Sequence, residues 1–292
     1  MSSDRGTALL TVDVEDWFHL VGAGLDYQFR RSPGGVETWD RYPSRVVDDT
    51  RWILDLLEER GQKGTFFILG WVADRHPELV RDIHSRGHEV ASHGFWHRVV
   101  TAESEAEFRA DLRRSVETLQ GITGTAVHGF RASSSSITDW AIGVIAEEGL
   151  SYDSSLFPAS FHDVYGRLSG VNPKLPVERL PNGLIEVKLS SLAIGRLTLP
   201  WSGGGYFRVL PYPVFKLGIE RILRSTGLFH FFTHPWELGA APPRLAGLKP
   251  QYHLRRYLSI DRTRERFRRL LSDFQFSSIR DYLRAVDLLP GP

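Results

Sequence analysis

The chain has 292 residues, with 36 Lys and Arg against 35 Asp and Glu, so its formal charge is +1. That balance removes any general electrostatic case for nucleic acid, and 41% hydrophobic with 24% charged residues excludes disorder. The absence of cysteine excludes disulfides and thiolate metal sites, leaving any metal to His, Asp and Glu. No apolar stretch is long enough for a membrane span, and the run in MSSDRGTALLTVDVEDW is too short for a signal peptide. The expectation is a cytoplasmic protein without stable membrane insertion.

In chain order, residues 8–14 are apolar and β-branched and read as a buried strand. Val46, Val47, Ile53, Leu54 and Leu57 recur at helical spacing, with Gly61 as the stop. TFFIL at 65–69 is the next strand. Leu79, Val80 and Ile83 mark a helix from Pro77 to Gly87, and residues 88–91 form a third strand. Ser104 and Glu107 form a capping box for a helix carrying Phe108, Leu112 and Leu119, which Gly121 is expected to end. Residues 127–130 read as a strand, and a helix follows from Thr138 to a stop at Gly149. Later strands lie at 184–189 and 228–233, and helices at 263–274 and 278–286 close the pattern.

Alternating β and α elements imply a mainly parallel sheet flanked by helices, with the active site where strands end. Two segments break the rhythm, 20–43 and 157–182. Both are long for plain connections and read as substrate-facing loops of a single domain spanning 1–292.

Five clusters carry chemistry. Asp13-Val14-Glu15-Asp16 places three acids at a strand end, where alternation puts Asp13 and Glu15 on one face. Crowded acids repel unless a cation neutralises them. His93 and His97, four apart, can share a metal if the segment turns helically, and the acids supply the missing carboxylate. Two histidines and one carboxylate leave open metal positions, a catalytic rather than a closed structural pattern. His84 and His88 have the same spacing, but a helix and a strand separate them. Arg131, just after a strand, can aim a carboxylate by charge pairing. His234, at a strand end and locked by Pro235, has the reference pKa of a general acid. The segment Pro200 to Arg208 joins glycines to aromatics and a cation and suits a sugar ring better than a phosphate.

The order of these motifs resembles the polysaccharide deacetylases, which include the nodulation-factor chitooligosaccharide deacetylases. DVEDWFH, YDSSLFP, SGGGYFR and THPWEL look like the subgroup found with bacterial exopolysaccharide and exosortase clusters. The resemblance implies an α/β fold, a distorted, incomplete (β/α) barrel. It also implies one divalent metal, zinc with cobalt, nickel or manganese as alternatives. By motif, Asp13 becomes the catalytic base, His93 and His97 metal ligands, Arg131 the residue orienting the base and His234 the general acid. The third ligand is Glu15 or Asp16, with alternation leaning to Glu15. Trp17, Trp201 and Tyr206 are the sugar-platform candidates. Ser133 stands where the family usually has proline after Arg131-Ala132, which should loosen that loop. The implied reaction is removal of N-acetyl groups from amino sugars of a polysaccharide or of a glycan precursor, free or lipid-linked. Rival readings are a C–N hydrolase of a small acylated amino sugar, ureide or cyclic imide, a non-catalytic carbohydrate-binding relative, and a structural metalloprotein.

Overall fold

The structure is a computed structural model that describes residues 6–31, 34–158, 166–195 and 197–291. The elements run β1 (Thr7–Val14), α1 (Val46–Glu59), β2 (Thr65–Ile68), α2 (Gly70–Arg75), α3 (Pro77–Ser85) and β3 (Glu89–Ser92). Next come α4 (Glu105–Thr123), β4 (Gly129–Phe130), α5 (Asp139–Glu147), β5 (Tyr152–Asp153), β6 (Val177–Arg179) and β7 (Ile185–Val187). They are followed by β8 (Ser191–Ile194), β9 (Leu197–Pro200), α6 (Gly204–Val209), α7 (Tyr212–Thr226) and β10 (Leu228–Thr233). The last are α8 (Pro235–Leu238), α9 (Pro250–Tyr257), α10 (Thr263–Asp273), β11 (Phe276–Ser277) and α11 (Ile279–Ala285).

The main sheet has the order β10-β1-β2-β3-β4-β5-β7-β6, parallel except for the β6–β7 pair, with β11 also on β1. The sheet curls into a distorted, incomplete barrel. Although β7 and β10 lie far apart in strand order, His230 Nδ1 meets the Lys188 carbonyl at 3.1 Å and the His230 amide donates to Ser190 Oγ at 2.8 Å. Gly203 bridges Phe232 in the same gap. A Cβ at Gly203 would sit 2.2 Å from the Phe232 carbonyl oxygen, and its φ is +140°, so only glycine fits this closure.

Strand alternation divides two cores. Ala8, Leu10, Val12 and Val14 of β1 pack outward with Ile53 and Leu57 of α1, Phe215 and Ile219 of α7, and Phe267 of α10. Leu9 instead joins an inner cluster with Phe67, Tyr152, Val187 and Leu228. Ile279 and Leu283 of α11 belong to that cluster and seal the end where the strands begin. There the Ile279 amide donates to Thr65 Oγ1 at 2.8 Å and the Arg280 amide to Glu89 Oε2 at 2.8 Å. The other end is left for the site.

Some boundaries differ from expectation. The long helix runs past Gly121 to Thr123, and Gly124, at φ 68°, supplies the left-handed cap. Helix α7, the β8–β9 hairpin and the short helices α2, α6, α8 and α9 were not expected. Within 157–182, residues 159–165 lie outside the described residues and Val177–Arg179 is an edge strand, so that segment is more than a loop. Within 20–43, Leu25, Tyr27 and Gln28 face the cleft, while Trp39 is buried and donates from Nε1 to the Val21 carbonyl at 2.6 Å.

Candidate active site

The site begins with alternation in β1. Asp13 points into the barrel, and Glu15 follows just past the strand end. Asp13 Oδ1 accepts a bond from Arg131 Nη1 at 2.7 Å. Arg131 leaves β4 fully buried and meets four more acceptors. Nη1 reaches Thr11 Oγ1 at 2.8 Å, and Nε the Ser154 carbonyl at 2.9 Å. Nη2 reaches Ser154 Oγ and His230 Nε2, each at 3.0 Å. The guanidinium lies 4.2 Å above the Phe67 ring. His230 Nδ1 bonds to the Lys188 carbonyl, which assigns Nε2 as acceptor for Arg131. Burial first, and then the Arg131 charge, hold the His230 imidazole well below its usual pKa, so it stays neutral.

His93 and His97 converge with Glu15, their ligand atoms lying within 4.8 Å of one another. The convergence is not helical, contrary to the expected turn. Gly94 at φ 72° and His97 at φ 52° reverse the chain, and Asp111 of α4 accepts from the Phe95 and Trp96 amides at 2.6 and 3.1 Å. His93 Nδ1 donates to the Arg131 carbonyl at 2.8 Å, which leaves Nε2 as the ligand atom. His97 Nε2 lies 2.5 Å from Glu15 Oε2. Among the described residues His97 Nδ1 is buried without a hydrogen-bond partner. A buried donor set of two imidazoles and one carboxylate beside an open cleft fits a divalent metal of the zinc type. Burial alone would raise the Glu15 carboxyl. His97, which also hydrogen-bonds it, acts with His234 and His93 to outweigh burial and hold it well below the carboxylate range. Burial pushes His93 down to about 4, consistent with a neutral ligand imidazole.

Asp16 does not join this set. Its Oδ2 accepts from Ser44 Oγ at 2.6 Å, the Arg45 amide at 2.9 Å and the Val46 amide at 3.2 Å, so it caps α1. The sugar-platform assignment also changes. Trp17 is buried with Nε1 bonded to the Pro43 carbonyl at 3.0 Å. Trp201 is buried, stacked on Phe215 at 5.6 Å with Nε1 on the Phe215 carbonyl at 3.0 Å. Neither can meet a ligand. Tyr206 is 40% exposed but is absent from the cleft lining. The rings that do line it are Tyr27, Phe157, Phe232, Trp236 and Tyr252.

His234 follows β10 at the start of α8. Its Nδ1 meets Glu237 Oε2 at 3.1 Å, and its Nε2 lies 3.6 Å from Glu15 Oε1 and 3.9 Å from Asp13 Oδ2. Glu237 is paired in turn with Arg208. The imidazole stacks on Trp236 at 5.4 Å, and Trp236 Nε1 donates to Glu15 Oε1 at 3.4 Å. Burial lowers the His234 pKa, against the opposing charges of Glu15 and Asp13. All these groups border one cleft of about 200 Å³. After Arg131, Ser136 Oγ bonds the Ser133 carbonyl at 2.7 Å, and the Ala132 amide donates to Ser155 Oγ at 2.7 Å. Serine contacts thus tie the loop that Ser133 was expected to loosen. His88 is buried against Phe66, 5.0 Å between ring centroids, and does not line the cleft.

Sequence reasoning missed His230, Ser154, Asp111, Glu237 and Arg208. His230 had a signal: a histidine in the apolar strand LFHFFT, on the same alternation as His234.

Residues 36–152 match the polysaccharide deacetylase family model, and residues 154–284 match a domain of unknown function, DUF3473. The first of these matches likens residues 36–152 to the polysaccharide deacetylases. A peptidoglycan-N-acetylglucosamine deacetylase of Bacillus cereus is 33% identical over 89 residues, which is 30% of this chain and 32% of the relative. A chitooligosaccharide deacetylase of Rhizobium leguminosarum bv. trifolii is 36% identical over 70 residues, 24% of this chain and 33% of the relative. The matched stretches thus span about a third of those relatives. A crystal structure from Mycobacterium smegmatis, assigned to the polysaccharide deacetylases, superposes with TM-score 0.57 at 22% identity, covering 100% of this chain and 95% of that one. A CE4 family pseudoenzyme from Bacillus anthracis superposes with TM-score 0.52 at 12% identity, covering 96% and 66%. The fold is thus shared with a pseudoenzyme, so the activity has to be argued from the residues in the cleft.

Proposed function

We propose that the protein is a metal-dependent hydrolase that removes N-acetyl groups from amino sugars of a polysaccharide or glycan precursor. The observation that carries this is the convergence of Asp13–Arg131, Glu15/His93/His97 and His234 on one cleft. Glu15, His93 and His97 would hold the divalent ion, which when bound supplies Lewis acidity toward the amide oxygen and a more acidic water. Asp13 is fixed through Oδ1 by Arg131, leaving Oδ2 toward His234 to take a proton from the attacking water. His234 donates from Nε2 to the departing amine, a poor leaving group until protonated. Glu237 holds Nδ1 and so fixes which nitrogen faces the substrate. Acetate and a free amino sugar result.

The neutral nitrogen and carboxylate donors favour zinc, with cobalt, nickel or manganese as alternatives. Strands from both matched segments share one sheet, which supports reading residues 1–292 as one catalytic domain. Among the described residues no helix is long and apolar enough to cross a membrane. A cytoplasmic setting, a lipid-linked precursor and a place in exopolysaccharide synthesis complete the proposal, and fractionation of untagged protein tests the first. The central test is mass spectrometry of N-acetylated oligosaccharides incubated with metal-loaded protein. Loss of one acetyl per event is expected, and its absence in Asp13→Asn. Release from ureides or cyclic imides with intact acetamides would overturn the substrate class.

A further inference from the structure

The cleft lining has a cationic part that the deacetylation chemistry uses only through the Arg208–Glu237 pair. Arg208, from α6, and Arg255 and Arg256, from α9, all border it. Of the cleft carboxylates only Glu237 meets these arginines, through Arg208. Asp13 pairs with Arg131, Glu15 faces His97, and Glu237 holds Arg208 and His234. Arg256 is only 8% exposed, and among the described residues no carboxylate lies within ion-pair distance of it. One Nη donates to the Trp17 carbonyl, while Nε is buried without a hydrogen-bond partner. Its flat face lies 4.1 Å from the Trp236 ring centroid, and Trp236 stacks on His234. A guanidinium with a spare donor therefore sits one ring away from the general acid.

Burying an unpaired cation is unfavourable, and neighbouring like charges add to that. Arg208 registers the excess: burial first, then Arg256 and Arg255, push it down to about 10. An anchor needed only for packing would gain nothing from two more guanidinium groups in the same cleft. An incoming oxyanion would relieve both the missing partner and the repulsion, through the forked donors that suit carboxylate and phosphate.

We propose that the cleft selects amino sugars that carry an oxyanion, a carboxylate or a phosphate, next to the reacting acetamide, with Arg256 as principal anchor and Arg255 and Arg208 beside it. The inference rests on the deacetylase reading and deepens it. All three arginines fall in the segment matched to the domain of unknown function, which would thereby contribute substrate selection.

The test is calorimetric binding to metal-loaded protein carrying Asp13→Asn, so that no turnover intervenes. The probes are a neutral N-acetylglucosamine disaccharide, N-acetylglucosamine joined to glucuronic acid, and N-acetylglucosamine 1-phosphate. At least one anionic probe should bind about 10–100-fold more tightly than the neutral one, as expected for charged hydrogen bonds. The probe showing the preference identifies carboxylate or phosphate as the source. Added salt should narrow the preference, and Arg256→Gln should collapse it. Should Arg256→Gln fail to fold, the exposed Arg255→Gln should still reduce the preference. Equal affinities for all three probes, or a preference untouched by both substitutions, would overturn the proposal. Preferential binding without acetate release by the wild type would instead fault the deacetylase reading alone.

Discussion

Replacing Arg131 with Met keeps an apolar stem against Phe67 and removes every donor of the guanidinium. Five contacts go with it: Asp13 Oδ1, Thr11 Oγ1, the Ser154 carbonyl, Ser154 Oγ and His230 Nε2. Thr11 Oγ1 also contacts the Phe231 carbonyl, and Ser154 Oγ the Val187 carbonyl, so those hydroxyls keep partners. The heavy loss is Asp13, left as a buried charge, whereas His230 Nε2 keeps the Thr11 hydroxyl at 3.2 Å. Breaking a buried ion pair from one side costs about 3–5 kcal/mol, relaxation of the surroundings included. The expected loss of unfolding free energy is therefore about 3–5 kcal/mol. Urea denaturation of the wild type, Arg131→Met, Asp13→Asn and the double variant closes a thermodynamic cycle. The double variant should be less unstable than the sum of the single ones, because removing the carboxylate charge removes most of the penalty. A loss below about 1 kcal/mol for Arg131→Met, or strict additivity, would refute the view that this pair organises the barrel interior.

Elemental analysis should show one divalent ion per wild-type chain, most of it lost in the His93→Ala, His97→Ala double variant, and no change in His84→Ala. Full metal in the double variant would remove the ligand assignment. His234→Ala should lower acetamide hydrolysis by about 10²–10⁴-fold and cost much less on an activated aryl acetate, whose leaving group needs no proton. Equal losses on both would mean that His234 serves the oxyanion or the metal. Stability should also fall in acid through His88, whose pKa burial first, and then Lys63 and Arg86, lower to about 4. A histidine depressed on folding contributes fully above its unfolded pKa near 6.5 and loses that contribution as pH falls toward 4, up to about 3 kcal/mol. Denaturation from pH 7 to 4 should show a shallower decline for His88→Leu, and an unchanged slope would exclude His88 as a source.

The polar positions of the site were legible wherever a strand end and its alternation were legible. Asp13 and Glu15 follow from period two in β1, and His234 from the end of β10. Asp16 shows the limit of that rule. Beyond the strand end the chain turns, and the amides at the start of α1 claim the carboxylate. Trp17 and Trp201 misled for a related reason. An indole suits sugar stacking and core packing equally, and only the partners, Pro43 and Phe215, decide. Helix α7 was readable and overlooked. Pro211 precedes it, Tyr212, Phe215, Ile219 and Ile222 repeat at helical spacing, and Gly227 caps it. Asp111 carries no local signature, since its role arises from backbone amides brought to it by tertiary packing, whereas Glu237 stands three residues after His234 in a local capping box.

The pairing of β1 with β10 has a kinetic meaning. Thr11 and His230 touch across 219 positions of chain, and β11, which also pairs with β1, lies further on still. Contacts this remote are slow to close, because loop entropy is lost before they give anything back. During synthesis β1 must therefore wait, its outer face apolar, until most of the sequence has left the ribosome. Asp13 gains Arg131 midway, but His234 arrives only with the final quarter of the chain. A ribosome that stalls early would release a product carrying metal ligands and a base yet no acid, with the outer face of β1 open to aggregation.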